Sequence, residues 1–164
     1  MEEIRRRVLS VLVVNHSGVL NKVAGLFARR AYNIDSLSVG ETESPDTSRM
    51  TIVLHADDAT LEQIKNQLAK LIDVIEITVL RTATAVLREH VLVQVDHCSN
   101  RSDFMFVVDT FRGNVVDISE DKLMAELTGS PSKISAFIKN LKPFGIKTLV
   151  RTGVTGLERG DCEL

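Results

Sequence analysis

Residues 8–40 read VLSVLVVNHSGVLNKVAGLFARRAYNIDSLSVG, and three hydrophobic patterns succeed one another along them. Residues 5–14 are a predicted strand, with Val8, Leu12 and Val14 on one face and Leu9, Val11 and Val13 on the other. Apolar residues on both faces mark a strand covered on both sides. Residues 18–31 carry the helical period instead. Val19, Val23, Leu26 and Phe27 form a stripe that Leu20, Ala24 and Ala31 widen, while Asn21, Lys22 and Arg29 fall opposite. Residues 34–40 alternate again, as a second strand.

Working outward, ETESPDTS is a turn centred on Pro45 and Asp46, followed by a strand over 49–56. In that strand Met50, Ile52 and Leu54 point inward and Thr51 and His55 outward. Residues 57–60 supply N-caps for a helix whose apolar set is Leu61, Ile64, Leu68, Leu71 and Ile72. Asp73 opens a last strand, with Ile75, Ile77 and Val79 on one face. The second half repeats this order. Strands over 90–98, 114–119, 122–129 and 146–153 flank a helix over 101–113, closed by Gly113 as its C′ residue, and a helix that starts at Pro131.

The predicted fold class is therefore α+β: two ferredoxin-like βαββαβ units, over 4–81 and 87–164, joined near 81–86. Each unit is small for one core, and a four-stranded sheet with its helices on one side leaves the other face open. A homodimer, or packing between the halves, is expected to cover it. The glycine-containing tail after residue 152 has little periodicity and is expected to be extended and to need docking.

Composition excludes several classes of function. A net charge of −2 gives no global field for nucleic acid, and with six Phe, one Tyr and no Trp no base-stacking surface is obvious. The two cysteines, Cys98 and Cys162, form no C-x-x-C pair. His97 and Cys98 adjoin, but neighbours on a strand point to opposite faces, so no metal site is expected there. No apolar run approaches the roughly 20 residues of a membrane span, and no signal peptide is visible, so a cytoplasmic chain is expected. No catalytic motif occurs. The pairs Asp57–Asp58 and Glu120–Asp121 read as caps and turns, and the run Arg5–Arg7 as a solvated strand end. Arg49 reads either as a solvated strand-end residue or as a contact to a partner protein. A ligand-responsive transcription regulator would need a helix-turn-helix and a basic face. A small enzyme of the acylphosphatase kind would need a phosphate-cradling loop with an arginine. Neither is present.

The loop NHSG is more specific. Ser17 or Asn15 is placed to cap the helix, and Gly18, at its first turn, lets another group approach the backbone. Free N–H groups and the helix dipole there suit a carboxylate, and the Asn15 amide oxygen suits an ammonium group. Asn33 lies beyond the far end of the same helix, about 20 Å away at a rise of ~1.5 Å per residue. Two readings stand: Asn15 and Asn33 are ordinary loop and cap residues, or two protomers with antiparallel first helices bring them to one ligand.

The stretch 8–40 also resembles the ACT-domain opening of the regulatory (small) subunits of acetohydroxyacid synthase, or acetolactate synthase. The resemblance continues through SRMTIVL (48–54), LAKLIDV (68–74), LREHVLVQV (87–95), FRGNVVDIS (111–119) and RTGVTGLERGD (151–161). It covers nearly the whole chain and implies that the N-terminal unit is an ACT domain. It implies a noncatalytic, homodimeric subunit that activates the large catalytic subunit in branched-chain amino acid biosynthesis and confers feedback inhibition by valine. Thiamine diphosphate, FAD and magnesium are then expected on that catalytic partner and no cofactor or metal on this chain. The implied valine site, at the interface of paired ACT domains, takes Asn15 and Gly18 from one protomer and Asn33 and Ile34 from the other. One departure is visible: the family's R-G-Y-N-I is R-A-Y-N-I here, with Ala31 in place of glycine. If that position needs a positive φ, alanine strains the turn by about 1 kcal/mol or more.

Overall fold

The computed structural model describes residues 3–96 and 100–160; His97, Cys98 and Cys162 lie outside them. Its contacts divide the chain into two compact units. One holds the residues up to Val86 together with those from Val154 on, and the other is Leu87–Gly153.

The first unit runs β1 (Arg5–Val14), α1 (Val19–Arg29), β2 (Ser36–Glu41), β3 (Thr47–Ala56), α2 (Asp58–Leu68) and β4 (Val74–Val79). Its strands form an antiparallel sheet in the order β2-β3-β1-β4. The alternation within β1 sends Leu9, Val11 and Val13 into a core with Val19, Val23, Leu26 and Phe27 of α1 and Leu61, Ile64 and Leu68 of α2. Each of these side chains is buried, worth about 1.5–3 kcal/mol for a full aliphatic or aromatic side chain.

Three readings of this unit need correction. Thr51 does not face water: it is buried, with Val8, Ser10 and Val53 on the same face of the sheet, so β3 has no wet side here. Ile75 does not join Ile77 and Val79. The register of β4 on β1 shifts between Leu12 and Val13, so Val74 packs on the core and Ile75 turns outward. Ile72 leaves the apolar stripe of α2 because the helix stops at Leu68; it is 93% exposed.

The second unit repeats the order. It contains β5 (Ala85–Asp96, which begins in the first unit), α3 (Arg101–Thr110), β6 (Asn114–Ile118), β7 (Lys122–Gly129), α4 (Pro131–Leu141) and β8 (Ile146–Arg151). The sheet order is β6-β7-β5-β8. Phe104 and Val108 of α3 meet Ile134, Phe137 and Leu141 of α4 over Val91, Val93 and Val95. Phe104 stands edge-on to Phe144 at 5.7 Å between centroids, a favoured aromatic geometry. α4 starts at Pro131, as its sequence predicts, and Ser130 caps it through Lys133 N. After β8 the chain turns at Gly153 (φ 82°) and re-enters the first unit, where Thr155–Glu158 form β9.

Gly113 is not the left-handed residue after α3. Arg112 takes that conformation, with φ 55°. Gly113 is required for a different reason: a Cβ there would lie 2.7 Å from the Glu126 carbonyl oxygen on β7.

Candidate functional site

The loop between β1 and α1 is built by three separate parts of the first unit. The Asn15 N–H donates to the Asp46 carbonyl at 2.7 Å, and its side-chain Nδ2 donates to the Pro45 carbonyl at 2.8 Å and to Glu41 Oε1 at 3.2 Å. The β2–β3 turn therefore holds Asn15, and the amide nitrogen is occupied from that side. Asn15 does not cap α1, and neither does Ser17. The N-cap is Gly18, in a left-handed conformation (φ 88°), with no side-chain cap bond and no acidic residue in the first turn. An N-terminus left this way keeps backbone donors for an acceptor from outside. A Cβ on Gly18 would meet nothing within 4 Å, so the space before it is open.

Behind the loop stands Asp73, which is buried. Its carbonyl accepts from Val14 N at 2.9 Å. Its Oδ1 lies 2.8 Å from His16 Nε2 and its Oδ2 accepts from Lys22 Nζ at 2.6 Å. The Lys22 hydrogen bond, with that of His16, holds the Asp73 carboxyl below the usual carboxylate range against the opposing effect of burial. The His16 imidazole is pushed up, first by its hydrogen bond to the Ser17 carbonyl and then by Asp73. The sequence reading gave His16 and Asp73 no role at this loop. Asp73 lies more than fifty residues from both His16 and Lys22, so the three leave no local spacing signal.

At the other end of α1, Ala31 has φ 56°. Tyr32 N reaches back to the Phe27 carbonyl at 3.1 Å, closing the helix as a Schellman-type turn. Asn33 follows, exposed, with Nδ2 donating to Asp35 Oδ1 at 3.1 Å; the other Asp35 oxygen lies 2.6 Å from His55 Nδ1. Ile34 is partly buried against the core. Asn15 and Gly18 thus share one end of α1, and Asn33 and Ile34 share the other. Arg49, third in β3 and partly buried, donates from Nη1 to Ser10 Oγ at 3.0 Å across the sheet. Among the described residues no group of three or more His, Cys, Asp or Glu side chains is placed to hold a metal, and no helix is long and apolar enough to cross a membrane.

Two family models match the chain, an AHAS small subunit-like ACT domain over residues 9–76 and a small subunit of acetolactate synthase over 88–160. The probable acetolactate synthase small subunit of Methanothermobacter thermautotrophicus is 49% identical over 156 residues, covering 93% of this chain and 92% of that protein. The acetolactate synthase small subunit of Bacillus subtilis is 43% identical over 157 residues, covering 94% and 91%. The crystal structure of the small subunit from Thermotoga maritima superposes with a TM-score of 0.90 at 39% identity, covering 96% of this chain and 99% of that one.

Proposed function

Because this chain belongs to the acetolactate synthase small-subunit family, with an ACT domain as its first unit, we propose that it is the noncatalytic regulatory subunit of that enzyme. In this reading it binds the large catalytic subunit in the cytoplasm and raises its activity. The reaction and its thiamine diphosphate, FAD and magnesium reside on that subunit. L-Valine is the feedback effector, bound where the ACT domains of a homodimer pair.

The observation that carries the effector site is the uncapped N-terminus of α1 at Gly18, beside an Asn15 whose amide nitrogen is already engaged by Pro45 and Glu41. Backbone N–H groups at Gly18 receive the amino acid's carboxylate, and the Asn15 amide oxygen accepts from its ammonium group. Asn33 and Ile34 come from the partner protomer. Asn33, with its nitrogen donating to Asp35, offers its oxygen as a second acceptor, and Ile34 offers apolar surface to the isopropyl group.

Titration calorimetry of the whole chain with L-valine, with D-valine and L-leucine as controls, tests this reading, followed by reconstitution with the catalytic subunit. Saturable, stereospecific binding that Gly18→Asp abolishes is expected, with loss of valine inhibition in the reconstituted enzyme. Inhibition that survives Gly18→Asp would remove this loop from the site.

A further inference from the structure

Both ring nitrogens of His16 face acceptors. Nδ1 lies 3.0 Å from the Ser17 carbonyl and Nε2 2.8 Å from Asp73 Oδ1. A carbonyl and an ionised carboxylate only accept, so both nitrogens must donate, and the ring that satisfies both is the imidazolium. A neutral imidazole carries one N–H and leaves one of these contacts lone pair against lone pair.

The geometry points to His16 as a proton-operated clamp on the effector loop: protonated, it holds residues 14–18 in the form that receives the effector, and on losing its proton it releases them and weakens effector binding. This rests on the reading of Gly18 and Asn15 as effector ligands.

Asp73 is the fixed post of the clamp. It belongs to the connection between α2 and β4, and it grips the loop twice, through Val14 N and through His16. The charged groups facing the imidazole are Asp73 from that connection, which favours the proton, and Lys22 from α1, which opposes it. When His16 is neutral, Lys22 still neutralises Asp73 through Oδ2, so no buried carboxylate is orphaned. The fold therefore tolerates deprotonation, and the change stays in the loop. His16 is two residues from Gly18 and Ser17 lies between them, so loss of the Nδ1 contact to the Ser17 carbonyl acts on the peptide that leads into the left-handed turn.

The test follows the full-length chain between about pH 5.5 and 8.5, the span of an ordinary imidazole titration. NMR of the ring nitrogens and of the Gly18 amide should give one common midpoint. Calorimetry with L-valine should show affinity falling roughly three- to tenfold from the acid to the alkaline end, the scale of one lost charge-assisted hydrogen bond at a half-exposed site. His16→Gln cannot gain a proton, so its affinity should sit at the alkaline wild-type value throughout. Wild-type affinity that does not change with pH, or an undiminished slope in His16→Gln, would overturn the proposal. Valine binding at no pH would defeat the effector reading itself; the Gly18 amide still decides the clamp, which stands if that amide follows His16 and falls if it does not.

Discussion

Ala31 and Arg112 occupy the same backbone state, φ 56° and 55°, each two positions beyond the last helical residue of the first helix in its unit. The following N–H closes the same turn in both: Tyr32 N to the Phe27 carbonyl at 3.1 Å, and Gly113 N to the Val108 carbonyl at 2.9 Å. Both helices end in a left-handed residue that carries a Cβ, where glycine is the usual occupant. The two sites are repeated solutions to one problem, turning the chain from a helix back onto its sheet.

Ala31→Gly should stabilise the chain. Relief of the left-handed conformation contributes about 1–2 kcal/mol, and the added freedom of the unfolded glycine offsets about 0.4–1 of it. A net gain of about 0.5–1 kcal/mol is expected from urea unfolding, with an unchanged slope. Arg112→Gly should behave alike. Destabilisation by either change would show that the side chain, not the backbone, holds the turn.

Gly113→Ala should do the reverse. Its Cβ would sit 2.7 Å from the Glu126 carbonyl and 3.3 Å from Val108 Cγ1, and the backbone contact cannot yield as a flexible side chain would. A loss of about 1–3 kcal/mol is expected, the range for overpacking, read from the urea midpoint. A neutral result would mean that β6 moves freely off β7.

Asn33→Ala should weaken valine binding by roughly 1–3 kcal/mol, the value of a lost polar partner, while leaving the urea midpoint nearly unchanged because Asn33 is exposed. Asp35→Asn should have a smaller effect in the same direction if Asn33 binds the effector as proposed, since Asp35 accepts from the Asn33 amide. Unaltered affinity in Asn33→Ala would place the partner protomer's contribution elsewhere.

Stability should vary with pH from two sides. The His16 imidazole is raised in the folded state by the Ser17 carbonyl and Asp73. Its contribution is therefore complete below the unfolded value, about 6.5, and is lost as pH rises through the higher folded value. The Asp73 carboxyl is lowered, chiefly by Lys22. Its contribution is present above the ordinary carboxylate value and lost as pH falls through the lower folded one. Urea midpoints against pH should thus form a plateau between these limits, with the alkaline shoulder missing in His16→Gln and the acid shoulder reduced in Asp73→Asn. A shoulder that survives its own substitution would assign it to another group.

Element order and the two cores were legible in the sequence. The stripe Val19, Val23, Leu26 and Phe27 and the alternation Leu9, Val11 and Val13 predict helix and strand, and all seven side chains are buried together. Asp57 before Thr60 marks a helix start for the same reason, since a cap is made with a residue three positions away, and Pro131 marks another. The resemblance that implies a site at Asn15, Gly18, Asn33 and Ile34 also lies in a contiguous stretch of sequence.

Other features needed the folded chain. Whether Thr51 is wet or dry depends on what covers its sheet face, and alternation alone shows only that it opposes Ile52. The outward turn of Ile75 follows from a register shift against β1, and the close approach that Gly113 permits follows from Glu126 on a neighbouring strand. His16 and Asp73 stand 57 residues apart, and each alone is an unremarked polar residue beside a turn. Periodicity and capping act over a few residues, so sequence determines the elements, the sides they bury and the loop that carries the candidate site. Packing joins residues distant along the chain, so only the tertiary structure decides which groups hold that loop and what protonation it requires.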